Sequence, residues 1–353
     1  MSSSDHNLPV PVAVPAYPVP PHDDRPTLIE QVAQTRVGRL ATALGCLGLA
    51  AMVGLPIELG LAGTLIALLA QRRYSTRLLS RYFAEGRYAR YLRLVEQLET
   101  SAWSARARAL LALHRVTGLV MLGRIDEART VLARLEDPAL PARVRRLVAL
   151  QVATLHLRLF QPDRALSILS QLDVVPTTPP EKQMIGLLRA CAFLQREEPA
   201  AVEIQLRTVE ALGPPSDLVP VVMAYRARLA IWAGRAAESV QLSRRAVERA
   251  GEQKGLLPGL LITHALALSE AGATDTDVLE VLTPVIGHTA ELGLASQGEF
   301  HYLMARAYLA CSMPGDARSH LERLSELPVG QWLASRVRAL ALTPAALPAS
   351  AAE

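Results

Sequence analysis

The chain is poor in aromatic residues, lysine and cysteine, and each shortage narrows the reading. Aromatic residues make up 4% of the 353 positions, whereas apolar residues make up 50%. Leucine and alanine therefore carry the hydrophobicity, which suits helix-on-helix packing better than β-sheet. Lys182 and Lys254 are the only lysines, so the basic charge is arginine, a bias that points to a GC-rich, bacterial coding sequence. The net charge of +4 is mild and does not by itself demand an anionic partner. Cys46, Cys191 and Cys311 lie far apart with no CxxC spacing, which excludes a disulfide framework or a thiolate metal site and leaves three small hydrophobes. The eight histidines are scattered, and no HExxH helix, phosphate-binding GxxxxGK[ST] loop, GxGxxG turn or nucleophile elbow occurs. No catalytic group, metal ligand or cofactor-binding residue is therefore nominated, and the chain is read as a non-enzyme.

What is present falls into four segments. Residues 1–26 are rich in proline, with Leu8-Pro9-Val10-Pro11 and Val19-Pro20-Pro21, so an extended, disordered tail is expected. Residues 27–72 follow as a capped helix and an apolar segment. Thr27 and Glu30 have the Thr-x-x-Glu spacing of a capping box. Residues 40–70 then run for 31 positions with Glu58 as the single charge. One span needs about 20 apolar residues, so this run is long for one upright helix and short for two. Pro56 and Glu58 near its middle suggest a hydrophobic hairpin or re-entrant pair, with one tilted span as the alternative. Ala41/Gly45 and Ala50/Gly54 have the four-residue spacing that lets membrane helices approach closely. Its position and length exclude a cleavable signal peptide and suggest a retained anchor.

Flanking charge sets the expected orientation. Arg36 and Arg39 precede the run, and Arg72, Arg73, Arg77, Arg81, Arg87, Arg90 and Arg93 follow it. The more basic flank stays cytoplasmic, so the rest of the chain is expected on the cytoplasmic side of a bacterial inner membrane. Arg73, Arg77 and Arg81 recur at every fourth position, interleaved with Tyr74 and Tyr82. Beside an apolar anchor this basic stripe is a candidate contact for anionic lipid headgroups, and nucleic acid is not the expected partner.

Residues 73–342 carry a repeat. A turn-like break recurs at Gly86, Gly123, Gln161, Glu197, Gly234, Gly272 and Pro314, at intervals of 37, 38, 36, 37, 38 and 42 residues, each between two amphipathic helical patterns. One helical hairpin cannot bury its apolar face alone, so this period predicts an all-α solenoid of about seven stacked hairpins, preceded by the hydrophobic hairpin. Gln331–Leu342 are expected to cap its end, and 343–353 to fray.

The segment GRIDEARTVLARLEDP, with Ala128, Leu132 and Pro138, resembles the second half of a tetratricopeptide repeat. The pattern returns as Ala165 with Leu169, Ala200 with Ile204, and Ala317 with Leu321. Ser239 and Tyr91 stand where the family prefers alanine, and the sixth unit, Thr274–Leu282, matches poorly. The family's tryptophan, leucine-glycine and tyrosine signature in the first helix is largely missing. The resemblance implies a protein-binding scaffold whose concave groove is lined by first helices. Aligned on the alanine and glycine positions, Ser80, Thr117, Thr154, Arg189, Arg228 and Arg306 occupy one column of that groove. The three arginines would offer guanidinium groups to a protein or acidic peptide. The alternative is a soluble helical-repeat regulatory protein, nucleic-acid-associated in one version, with residues 40–70 buried in its fold.

Overall fold

The computed structural model describes residues 75–341 except 76, 84, 103, 136–141, 173–177 and 252–254. The proline-rich tail, the Thr27–Glu30 box, the apolar run over 40–70, Arg73 and the tail over 343–353 lie outside the described residues.

Among the described residues the regular elements are helices, paired in seven antiparallel hairpins. They are α1 (77–83) with α2 (Tyr88–Thr100), α3 (Ala105–Met121) with α4 (Ile125–Ala133), and α5 (Ala142–Arg158) with α6 (Pro162–Gln171). Next come α7 (Pro179–Gln195) with α8 (Pro199–Ala211), and α9 (Val219–Trp232) with α10 (Ala236–Ala250). The sixth hairpin pairs α11 (Leu257–Glu270) with α12 (Asp275–Leu282), which runs on into a 3₁₀ segment, Thr283–Glu291. The seventh pairs α13 (Leu294–Ala310) with α14 (Pro314–Ser325), and α15 (Gln331–Ala341) closes the row. Among the described residues no helix is long and apolar enough to cross a membrane.

The seven tight turns share one geometry. Gly86, Gly123, Phe160, Glu197, Gly234, Gly272 and Ser312 all have left-handed backbone, with φ between 55° and 77°. Their spacing is 37, 37, 37, 37, 38 and 40 residues, more regular than the breaks visible in the sequence. The next N–H reaches back five residues, as from Arg87 to the Tyr82 carbonyl at 2.8 Å and from Glu198 to the Phe193 carbonyl at 2.9 Å. This satisfies carbonyls that the ending helix leaves unpaired. Glycine adopts the conformation freely, whereas Phe160, Glu197 and Ser312 carry a cost of roughly 1 kcal/mol each. Proline at the first helical position of α6, α8 and α14 starts the return helix where no N–H donor is needed. Thr274 and Asp277 cap α12 reciprocally.

The repeat is also readable in burial. Tyr91, Ala128, Ala165, Val202, Ser239 and Ala317 stand five residues after the left-handed position, and all are buried. In the sixth hairpin the position slips by one, to Val278. One turn later Val95, Leu132, Leu169, Leu206, Ser243 and Leu282 are buried as well. The fourth unit thus corrects the expectation of Ala200 with Ile204. Ala200 is exposed and Ile204 is 62% exposed, while Val202 and Leu206 are fully buried. An alanine pattern misled the register by two residues where valine fills the close-packed position.

No single core holds the molecule together. One buried cluster lies within the first hairpin, Leu78 to Leu98, with Leu111 of the second packed on it, and the others bridge successive hairpins: Leu92 to Leu155, Leu150 to Ala192, Leu187 to Leu229, Ala224 to Leu260, and Ile231 to Leu333. Each hairpin therefore shares its core with its neighbours, as in a solenoid. α15 places Leu333, 5% exposed, in the last cluster, with Trp332 partly buried beside it.

Candidate functional site

The row of hairpins curls until distant units touch across its inner side. Arg158, at the end of α5, donates to the main-chain oxygen of Glu291. Gly293 lies against the same arginine, and a Cβ built there would sit 3.4 Å from Arg158 Cα and 3.8 Å from Arg158 Cβ. Glu197 accepts the Trp332 N–H with both carboxylate oxygens, at 2.8 and 3.0 Å, and so caps α15 from the fourth hairpin. Gly330 makes room for this contact, because a Cβ there would collide with Oε1 of Glu197. Gly255, just before α11, packs against the Tyr88 hydroxyl and the Phe83 carbonyl of the first hairpin. Residues some 130 positions apart are thereby brought into contact, and the inner groove is drawn in around a cavity.

The cavity measures about 480 Å³. That falls within the usual range of roughly 300–1,000 Å³ for small-molecule sites. Its wall is mostly apolar, with Leu157, Leu188, Leu194, Trp232, Leu292 and Trp332 among the lining side chains. Polar groups interrupt that wall, three arrangements among them. Arg228 and Glu299 form an ion pair between α9 and α13. Cys191 and Tyr225 interact electrostatically, and burial pushes up the pKa of both the thiol and the phenol. Both residues keep some water-accessible surface although they lie deep in the interior, because that surface faces the cavity. Arg158 is the third, and burial lowers its pKa from the ordinary guanidinium value.

The structure separates the column proposed from the sequence. Thr154 and Arg228 line the cavity. Thr117 and Thr154 turn their hydroxyls onto the carbonyls of Leu113 and Leu150, four residues back, at 3.1 and 2.9 Å. Arg306 bonds Ser269 Oγ and pairs with Asp275 at 3.4 Å, which leaves it tied to the sixth hairpin. Ser80 is exposed on α1. Arg189 does not share the column, since it donates to the Leu169 carbonyl at 3.0 Å and lies off the cavity wall. Measured from the left-handed turn residues, the fourth position of the column is Cys191. This is the same two-residue slip that misplaced Ala200 and Ile204. In the basic stripe, Arg77 and Arg81 share the exposed side of α1, and Arg81 pairs with Glu85 at 2.7 Å. Tyr82 is 7% exposed and belongs to the core, so it is not part of that stripe.

Arg158, Gln195 and Tyr225 were not singled out in the sequence, and Glu197 was read there only as a turn. The positive-φ residues Phe160 and Glu197 flank two of them, but neither carries the glycine that would have marked the turn.

Two comparisons, against models of protein families and against curated proteins, give no match. Among solved structures the chain is similar to a tetratricopeptide repeat protein from Parabacteroides merdae, whose crystal structure it matches with a TM-score of 0.43 at 12% identity. The match covers 77% of this chain and 98% of that chain.

Proposed function

We propose that this chain is an interaction scaffold, non-catalytic and tethered to the inner face of a bacterial cytoplasmic membrane. The observation that carries the reading is the uniform repetition of seven hairpins, each stabilised by its neighbours, which presents a long continuous surface. The 31-residue run with one charge supports the tether, and the basic flank that follows it supports the cytoplasmic orientation. Arg73, Arg77 and Arg81 would hold the start of the solenoid to anionic headgroups. Tethering raises the local concentration of partners, so weak contacts suffice.

The partner in this reading is a protein. An acidic peptide entering the inner column at Arg228 or Arg306 must displace Glu299 or Asp275, because both guanidinium groups are already engaged within the chain. Crosslinking of the membrane-embedded protein followed by pull-down tests the scaffold. The expected result is a small set of partners that a chain beginning after residue 72 captures less well. Recovery of the full chain in the soluble fraction without detergent would remove the tether. Charge reversal at Arg228 and Arg306 with unchanged capture would remove the inner column.

The cavity favours a second reading as a soluble regulatory repeat protein, because a mostly apolar pocket of this size suits a small effector better than a protein surface.

A further inference from the structure

Two arginines stand on the cavity wall, and their situations differ. Arg228 has its carboxylate in Glu299. Arg158 reaches only a thioether, Met121 Sδ at 3.6 Å, and the main-chain oxygen of Glu291. Among the described residues no carboxylate lies within ion-pair distance of it. A buried cation without a counter-ion is costly, so such a group is normally paired.

The carboxylates of the wall are committed elsewhere. Glu299 belongs to Arg228, and Glu197 caps α15 through the Trp332 N–H. Glu291 bonds the His288 ring at 3.1 Å, and this bond raises the His288 pKa. The charge of Glu291 also acts on Arg158, but from beyond contact. The guanidinium thus has charge to spare at one end of an apolar chamber. Leu157 lies next to it in sequence, and Leu188, Leu194, Leu292 and Trp332 lie around the chamber. Arg158 is also held in place, since Gly293 packs on its backbone and Glu291 fixes one terminal nitrogen.

We infer that this cavity binds a small molecule with an apolar body and a single carboxylate, the carboxylate pairing with Arg158 and the body filling the leucine- and tryptophan-lined space. A guanidinium makes strong charge-assisted hydrogen bonds to a carboxylate, and the apolar surroundings strengthen the pair. A neutral molecule of the same shape would leave Arg158 without its counter-ion. The inference does not depend on the scaffold reading, because a ligand inside the solenoid is compatible with partners on its outer surface or with none.

Trp232 and Trp332 both line the cavity and report on its contents by fluorescence. The full-length protein, in nanodiscs if it fractionates with membranes, is titrated with decanoate and, separately, decanol. Decanoate is expected to shift tryptophan emission saturably and to bind more tightly than decanol. Arg158→Met should weaken decanoate by about tenfold or more, the usual loss for a charge-assisted pair, with decanol unchanged. If Arg158→Met does not fold, Leu188→Trp decides, because it fills the chamber and leaves the arginine in place. That variant should abolish the response to decanoate. Equal affinity for the acid and the alcohol, or decanoate binding that survives Arg158→Met or Leu188→Trp, would overturn the inference. Failure here would leave partner capture by the scaffold untouched, so the two readings fail separately.

Discussion

Glu197 and Gly330 form a pair whose coupling tests the closure of the solenoid. Gly330→Ala places a Cβ where Oε1 of Glu197 now sits, so the carboxylate must swing away. The side chain is flexible and swings cheaply, and the backbone at 330 is not left-handed. The cost is therefore the lost cap on the Trp332 N–H, made at 2.8 and 3.0 Å. A lost cap together with its charge–dipole contribution amounts to about 2 kcal/mol. In a Glu197→Gly background there is no carboxylate to displace. There the same Gly330→Ala change should be neutral within about 0.5 kcal/mol, since the gain in chain stiffness offsets alanine's poorer capping. Glu197→Gly alone should cost less than Gly330→Ala, because removing the left-handed side chain returns roughly 1 kcal/mol. A repeat protein need not unfold in one step, so hydrogen exchange of the α15 amides is the suitable assay. Gly330→Ala should speed their exchange by about thirtyfold, and the double variant should show no further change over Glu197→Gly. Additive effects of the two substitutions would refute the contact between the fourth hairpin and α15.

Ser239 is fully buried in α10 and its hydroxyl has no hydrogen-bond partner, so Ser239→Ala should stabilise the protein by about 1 kcal/mol, read as a higher urea midpoint. The Nδ1 atoms of His301 and His320 lie 2.8 Å apart, so one ring donates to the other and both are held neutral. Burial, then His320 and Arg323, lowers the His301 pKa to about 4, and burial lowers that of His320. The unfolded chain therefore binds protons that the folded chain refuses. Stability is complete above the ordinary histidine pKa of about 6.5 and is lost as pH falls from there toward about 4. With screening at these half-buried rings, the loss should be about 1–2 kcal/mol and should flatten in His301→Gln/His320→Gln, measured by urea unfolding at stepped pH.

Hairpin number, helix type and turn positions were legible in the sequence because they follow from local rules. The apolar periodicity marks each helix, and Gly86, Gly123, Gly234 and Gly272 supply the left-handed turn directly. The remaining turns fall on Phe160, Glu197 and Ser312, where no glycine gives them away, so the breaks were read one or two residues late at Gln161 and Pro314. In the fourth unit the choice of alanine over valine shifted the register, and that one slip produced both the Ile204 and the Arg189 misplacements. The cavity was not legible at all. It depends on how far each hairpin rotates on the last, which accumulates over many units and joins Arg158 to Glu291 and Glu197 to Trp332. Nothing in a local window records that sum.

The cavity exists only if the solenoid curls back on itself, and one engineered crosslink measures this directly. A Cβ at position 293 would lie 3.4 Å from Arg158 Cα and 3.8 Å from its Cβ, so cysteines at the two positions fall within reach of a short bifunctional thiol reagent. In a background lacking Cys46, Cys191 and Cys311, the thiols of Arg158→Cys/Gly293→Cys should be joined within one chain by that reagent, seen as a shift in gel mobility and the loss of both free thiols. Two thiols that remain titratable in the folded protein, with helical content unchanged, would show the row of hairpins to be open and the cavity absent.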